Sequence, residues 1–245
     1  MEIPNNWNEV LVDDFLEIKS LEENEHNSFF QNQISLLSIL CGVDEEEFED
    51  MEVDELNNII KGIKWIKSQP SSDFYHKIGD YHFKSLDKLT FGEFLDIQHF
   101  MAEDYYKNLK ILAAILFRKQ KVNEWGHIVW EPYNGIDIWK RANEFSEIPI
   151  TAIFGLIQHI LKWKEDFMNI YTNIFQPIIE DADPDEELSA EDLADEAKEK
   201  ELERFAWQFL IQDITGDDIT KYDAVTDLPL IQVFNYLTAK KIKPQ

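Results

Sequence analysis

The carboxylates and the six histidines are the side chains of this 245-residue chain that could carry out catalysis or bind a metal. The chain contains no HExxH zinc motif, no GxxxxGKS/T or GxGxxG phosphate-binding loop and no GxSxG nucleophile motif. The acidic run Asp44-Glu45-Glu46-Glu47 lacks the DxDxDG spacing of a calcium loop, so we expect it to stabilise a helix N-terminus. Paired carboxylates for hydrolysis stay an open alternative, because so acidic a chain offers many pairs.

Two of the histidines, His76 and His82, lie in a segment that has the pattern of a β-hairpin. The sequence predicts two strands over 74–84 around Gly79-Asp80, where glycine at the first central position suits a type II′ turn. In that register the two imidazoles project to opposite faces, so they do not share a metal ion. We therefore expect no metal site, no cofactor and no catalytic residue, and interpret the chain as non-enzymatic.

Net charge is the strongest global signal, since 49 acidic residues against 23 Lys and Arg give −26. Such a chain repels phosphate backbones and anionic lipids, so we expect neither direct nucleic-acid binding nor membrane binding. The longest charge-free apolar stretch, 148–161, is short for a transmembrane helix. The charge has two interpretations, plain solubility or the keeping of a basic or aggregation-prone partner. The single cysteine, Cys41, cannot form an internal disulfide, which fits a reducing compartment.

One apolar pattern occurs three times in the chain, starting at Met51 and recurring at Phe145 and at Val225. Its spacing of i, i+3, i+4 and i+7 is typical of one face of a helix. The second and third copies share a proline, in Ile148-Pro149-Ile150 and Leu228-Pro229-Leu230, which marks a helix start. The matched apolar positions are Met51, Leu56, Ile59, Ile60 and Ile63, then Phe145, Ile150, Ile153, Phe154 and Ile157, and finally Val225, Leu230, Val233, Phe234 and Leu237.

The segment ahead of the pattern matches as well, since Val10, Phe15, Leu16 and Ile18 align with Leu89, Phe94, Leu95 and Ile97. The matches reflect either duplication or only helical periodicity, because any amphipathic helix aligns with another. In its second copy Thr90 and Glu93 have the spacing of a capping box. More residues separate Met51 from Phe145, in the apolar pattern, than separate Val10 from Leu89, in the leading segment. The second copy therefore carries an insertion of about 15 residues, which we place at Trp125 to Gly135.

These patterns predict a mainly α fold of repeated helical modules with one small β-hairpin and a long acidic linker helix. The predicted ranges are an N-terminal module at 1–70, a hairpin and second module at 71–176, an acidic linker at 177–203 and a C-terminal half-module at 204–245. Glu180 to Arg204 contains 13 acidic residues. It is interpreted as a solvated linker helix or as an arm that grips a basic partner.

Six aromatic residues are the candidates for partner binding. Phe154 and Phe234 lie on the repeated apolar faces, and the other four make the insertion unusually rich in aromatics. In the insertion the rings serve either core packing or, if exposed, an interface hot spot. These four are Trp125, Trp130, Tyr133 and Trp139.

Several short motifs resemble those of bacteriophage tail assembly chaperones and small phage morphogenesis proteins, including proteins of crAss-like phages. The motifs are Asn5-Asn6-Trp7-Asn8-Glu9-Val10 followed by Phe15 and Ile18, the stretch 87–96, and Asp227-Leu228-Pro229-Leu230 with Tyr236-Leu237. The resemblance implies a helical protein without catalytic residues that shields hydrophobic helices of a tape-measure protein and recruits tail-tube subunits. The chain departs from that family in its length, its repeat and its hairpin.

The resemblance implies phage tail or virion proteins as partners and the host cytoplasm as the location, with incorporation into the virion left open. Two alternatives stand beside it. One is a minor structural virion protein of a short-tailed phage, as a cargo, neck or tail component. The other is an acidic inhibitor or nucleic-acid mimic.

Overall fold

The computed structural model describes residues 2–22, 28–102, 104–175 and 207–242. The described chain is mainly helical, as predicted, and carries one small antiparallel sheet of four strands. The predicted acidic linker helix at 177–203 lies outside the described residues.

The helices fall into four groups along the chain. The first group is α1 (Val12–Glu22), α2 (Phe29–Cys41), α3 (Glu45–Glu49) and α4 (Val53–Gly62). The second is α5 (Phe91–Ala102), α6 (Leu109–Leu116) and α7 (Ile138–Asn143). The third is α8 (Gly155–Ile170) and α9 (Thr172–Phe175). The last is α10, which covers 207–215 of the described residues, α11 (Tyr222–Thr226) and α12 (Leu230–Ile242).

The chain forms two compact units, each assembled from two separate stretches. Unit 1 consists of Met1–Lys84 and Phe100–Lys162, and it contains the whole sheet. Unit 2 consists of Ser85–His99 and Trp163–Gln245. Each unit has its own buried apolar core.

The sheet runs in the order β1 (Lys77–Ile78), β2 (Tyr81–Phe83), β3 (Phe117–Val122) and β4 (Ile128–Trp130). The predicted hairpin is the β1–β2 pair, with Lys77 opposite His82 as expected. Gly79 has a φ of +54°, which is the left-handed conformation that a type II′ turn requires at its first central residue.

The β3–β4 hairpin was not predicted. It begins directly at the end of α6, where Phe117 follows Leu116 without a turn residue. Three cations within Phe117-Arg118-Lys119-Gln120-Lys121-Val122 hide the strand period, so the sequence resembles a continued helix. This hairpin is the insertion that the unequal spacing of the copies indicated.

In unit 1 the start of α1 is joined to the turn that precedes α8. The amide of Val12 donates to the carbonyl of Ile148 at 3.0 Å, and the amide of Ile150 donates to the carbonyl of Val10 at 2.9 Å. The first amides of a helix have no intrahelical partner, so this two-bond bridge satisfies one of them. Two buried rings cover the bridged helices, since Phe15 meets Phe154 edge to face at 5.8 Å and 82°.

Unit 2 repeats that arrangement between α5 and the turn before α12. The amide of Phe91 donates to the carbonyl of Leu228 at 2.8 Å, and the amide of Leu230 donates to the carbonyl of Leu89 at 2.9 Å. Phe94 and Phe234 meet at 5.6 Å and 83°. The predicted capping box also forms, with the Thr90 amide 2.7 Å from the Glu93 carboxylate.

The equivalence extends over both bridged pairs. The start of α1 and the start of α5 are separated by a fixed number of residues along the chain. Pro149 and Pro229 are separated by the same number of residues plus one. A 3-10 turn at Trp7–Glu9 precedes α1, and another at Leu86–Lys88 precedes α5 at the same offset. The same two-helix arrangement, with the same bridge and ring pair, is therefore built twice.

One part of the predicted alignment is wrong by three positions. The predicted alignment without gaps, which matches Met51 with Val225, correctly places Gly42 on Gly216, since both glycines have a left-handed backbone. Beyond these glycines, α3 aligns with α11 only when a gap is introduced. The extra segment is the 3-10 turn Ile219–Lys221. Three positions are close to one helical turn, so both alignments put apolar residues on the same face and periodicity could not separate them. After correction, Phe48 corresponds to Phe145 and Val225, all buried.

The ring pairs predict equal losses of stability in the two units. Phe154→Ala and Phe234→Ala should each lower the free energy of unfolding by about 3–5 kcal/mol, because each removes a buried ring from a packed site. Urea denaturation of the purified variants measures the loss. Phe29→Ala is the control, since that ring is 79% exposed, and it should change the value by less than about 0.5 kcal/mol. A loss in one unit alone would contradict the equivalence.

Candidate protein-interaction surface

The β3–β4 hairpin of unit 1 exposes apolar side chains at its outer end. Val122 is 69% exposed, Trp125 80% and Ile128 66%. Single exposed apolar residues are ordinary on a protein surface, but three so close together in the chain mark a surface that can bind another molecule.

The strand register places most of these side chains on one face. Val122 is paired with Ile128, and Gln120 is paired with Trp130. Side chains two positions apart on a strand, and those directly opposite across a pair, point to the same face. Val122, Ile128 and Trp130 therefore form one apolar stripe. Together with Trp125 at the tip, we name these four residues the hairpin surface.

The loop at the tip is held in a defined conformation by Asn123. Its side-chain oxygen accepts from the amides of Trp125 at 3.1 Å and His127 at 2.9 Å. Its own amide donates to the His127 carbonyl at 2.8 Å. Gly126 has a φ of +80°, a conformation that glycine adopts without strain. The Trp125 ring is thus exposed on an ordered loop, which lowers the entropy cost of using it as an anchor.

The outer edge of β4 offers backbone hydrogen bonds as well. The His127 carbonyl accepts from the amide of Asn123, the residue after β3, at 2.8 Å, and the Glu131 amide donates to the Lys119 carbonyl of β3 at 3.0 Å. Bonding alternates along an antiparallel strand, so the amides and carbonyls of Ile128 and Trp130 point away from β3. In the described part of the chain no strand pairs with this edge. An extended polypeptide could add there as a further strand.

Two buried arginines fix the base of the hairpin. Arg118 is 2% exposed. Its guanidinium donates to the Ile115 carbonyl at 3.1 Å and to the Glu131 carbonyl at 3.3 Å. It also lies 4.9 Å from the centroid of the Tyr133 ring. Arg141 donates to the Ala114 carbonyl at 2.9 Å and pairs with the Glu131 carboxylate at 3.4 Å. Since both arginines bond to the strand end and to α6, they hold the hairpin against its own unit.

Burial lowers the pKa of Arg118 and of the nearby Lys84. Burial and the nearby Arg141 charge lower the pKa of Arg118 to about 10. Burial and the Arg118 charge lower the pKa of Lys84 to about 7. The base of the hairpin therefore contains a lysine that is partly neutral near neutral pH.

The six predicted partner-binding residues divide into three groups. Trp125 and Trp139 are exposed, and Trp139 has an edge contact with Phe100 at 5.9 Å. Trp130 and Tyr133 are half-buried. Phe154 and Phe234 are only 5% and 0% exposed. The placement of these last two is a correction, because their rings fill the cores beside Phe15 and Phe94 and are not available at the described surface.

Sequence reasoning missed the aliphatic members of the surface. Val122 and Ile128 flank the tip loop on paired positions, and Ile136 is 85% exposed in the segment that follows. The β-branched pair around Asn123 to His127 was the available signal, since such residues favour paired strands around a short loop.

Metal-binding side chains do not cluster in the described ranges. No group of three or more His, Cys, Asp or Glu side chains there lies close enough together to hold a metal ion. The described helices include none with the length and apolarity needed to cross a bilayer. No family model, curated protein or solved structure matches this chain.

The lowered pKa of Lys84 predicts a pH-dependent stability. The group titrates near pH 7 in the folded chain and at its ordinary pKa of 10.5 when unfolded, so the unfolded chain binds more protons between these values. Its contribution to the free energy of unfolding therefore rises with pH in that window. Between pH 7 and pH 9, wild type should gain roughly 2 kcal/mol relative to Lys84→Met.

Urea denaturation at both pH values measures this difference. Lys121→Met replaces an exposed lysine of the same sheet and serves as the control. A difference between wild type and Lys84→Met that stays constant from pH 7 to pH 9 would contradict the lowered pKa.

Proposed function

We propose that the chain is a non-enzymatic, polypeptide-binding protein of bacteriophage morphogenesis, similar in role to a tail assembly chaperone, and that it works in the host cytoplasm. The observation that supports binding is the hairpin surface, an exposed apolar stripe beside an open strand edge. The assignment to phage assembly is supported by the motifs around Trp7, Thr90 and Pro229 that resemble that family.

The hairpin surface suits an extended or amphipathic segment of a partner. Backbone groups of Ile128 and Trp130 provide hydrogen bonds that do not depend on the partner's sequence. The stripe then selects a segment with an apolar residue at every second position. A large indole such as Trp125 contributes contact area at a low entropy cost, as interface anchors do.

The acidic body complements this surface. With a net charge of −26, copies of the chain repel one another and remain dispersed while one apolar surface holds a partner. Tape-measure and tail polypeptides with exposed hydrophobic segments are partners that need such a holder. A basic partner would gain additional attraction at low ionic strength.

Co-expression tests the proposal. The chain is produced together with candidate phage tail and virion proteins, one at a time, and the soluble, co-purifying fraction of each candidate is measured by quantitative mass spectrometry. We expect at least one partner to co-purify with wild type, and its recovery to fall about tenfold or more with the double change Trp125→Asp and Ile128→Asp.

Ile219→Asp is the matched control, because Ile219 is 75% exposed and belongs to unit 2, whereas the hairpin belongs to unit 1. Equal loss with the control, or no loss with the double variant, would contradict a role for the hairpin surface. Mass spectrometry of purified particles addresses the alternative of a minor virion protein. Stoichiometric presence in the particle would replace the chaperone proposal with that structural role.

A further inference from the structure

Unit 1 contains two adjoining cavities beside α1. The first has a volume of about 230 Å³ and the second a volume of about 240 Å³. They share three wall residues, so they form one elongated trough, and together they are of the size that holds a small organic ligand. None of the four residues of the hairpin surface lines this trough. The three shared wall residues are Ile18, Glu22 and Ile66.

The first cavity, which we name the apolar chamber, lies between α1, α2 and the 3-10 turn Lys64–Lys67. Leu21, Phe29 and Leu36 belong to its wall. Helix α2 brings no charge to it, since all 13 residues of that helix are uncharged. An alkyl chain suits such a chamber, because each CH₂ that leaves water there raises the affinity about fourfold.

The second cavity, which we name the lysine chamber, adds cations to an aromatic wall. Lys19 and Lys67 both line it. Lys19 is paired with Glu22 at 2.7 Å, so these two charges offset each other. Lys67 is exposed, and no ion pair joins it to any residue of the described ranges. The aromatic wall consists of Trp7, Phe15, Tyr106 and Phe154.

The acidic groups on the surrounding elements either have partners or lie outside the wall. The Asp104 carboxylate accepts from the Tyr106 amide at 3.0 Å and lies 3.6 Å from the Lys107 ammonium. The Glu9 carboxylate, near Trp7 in the chain, accepts from the Asn5 amide at 2.9 Å. The other acidic residues of α1, none of which lines either cavity, are Asp13, Asp14 and Glu17.

The net charge of −26 repels anions from the chain as a whole. Residues 56–72 are a local exception, because they contain three lysines and no acidic side chain. Charges farther away than about 8 Å are largely screened at physiological ionic strength. Under those conditions Lys67 determines which charge the lysine chamber attracts, and that charge is negative.

We propose that the trough binds one linear aliphatic carboxylate, such as a fatty acid, with its alkyl chain in the apolar chamber and its carboxylate at Lys67. Such an amphiphile matches both halves, because it carries one apolar chain and one negative charge. A cationic head group would be repelled by Lys67, while the Glu22 carboxylate is already paired with Lys19. This site does not depend on polypeptide binding by the hairpin surface.

Titration of the full chain with sodium dodecanoate, kept below the concentration at which it forms micelles, tests the proposal. Isothermal titration calorimetry should show saturable binding at one site per chain. Tryptophan fluorescence should change with the same Kd, because Trp7 lines the lysine chamber.

Two variants test the two halves of the site. Lys67→Glu should weaken dodecanoate binding about tenfold or more, because it reverses the charge that meets the carboxylate. Lys64→Glu is the matched control, since Lys64 is an exposed lysine of the same turn that lines neither cavity, and it should weaken binding by less than about threefold. Leu21→Asp places a charge in the apolar chamber and should weaken binding about a hundredfold. Far-UV circular dichroism checks that each variant is folded.

Two further probes test the chemistry of the ligand. Octanoate should bind at least tenfold more weakly than dodecanoate, because its shorter chain buries fewer CH₂ groups. Dodecyltrimethylammonium has the same alkyl chain with a cationic head group, and it should also bind at least tenfold more weakly. Equal affinity for the anion and the cation would overturn the assignment of the carboxylate to Lys67.

The remaining outcomes separate this site from other surfaces and occupants. Wild type that shows no saturable dodecanoate binding, or equal losses with Lys64→Glu and Lys67→Glu, would overturn the proposal. The double variant Trp125→Asp and Ile128→Asp should bind dodecanoate as wild type does, and a loss there would place the alkyl chain on the hairpin surface instead. A co-purifying polypeptide that Leu21→Asp removes, from a chain that does not bind dodecanoate, would assign the trough to a polypeptide.

Discussion

Each unit depends on one constraint, the antiparallel pair of backbone hydrogen bonds that joins a leading helix (α1 or α5) to the turn before a closing helix (α8 or α12). Each bond contributes only about 1 kcal/mol, but the bridge sets where both helices begin and in which register their apolar faces meet. The Phe15–Phe154 and Phe94–Phe234 ring pairs then stabilise that register, since all four rings are buried and each pair meets edge to face.

The same scheme explains why the second module can carry an insertion. Modules one and three pass from their apolar helix into an acidic turn through the left-handed Gly42 and Gly216. In the second module the β3–β4 hairpin replaces that turn, and Arg118 and Arg141 hold its base to the carbonyls of α6. The bridge at Pro149 is unaffected, so an exposed apolar hairpin is added without a change in the helical arrangement.

Periodicity predicted the helical faces, the duplicated leading segment, the proline starts and the β1–β2 register, because each depends on local spacing. It could not predict which leading helix meets which closing helix, since that pairing is set by long-range packing. It also placed Phe154 and Phe234 among the partner-binding residues, because the apolar face of a helix is the same in sequence whether its own chain or another covers it. The sequence predicted two residues of the hairpin surface, Trp125 and Trp130. It did not predict Val122 and Ile128, because the cations of β3 mask the alternation of a strand.

Amide hydrogen exchange, read residue by residue by NMR, tests the repeated bridge most directly. The account predicts slow exchange for the amides of Val12 and Ile150 in unit 1 and of Phe91 and Leu230 in unit 2, because all four donate to the bridges at 2.8–3.0 Å. Protection should be lost together within each pair when the unit is destabilised. Fast exchange of both amides of either unit in the intact protein, while the neighbouring helices stay protected, would contradict the claim that the same kind of bridge organises each unit.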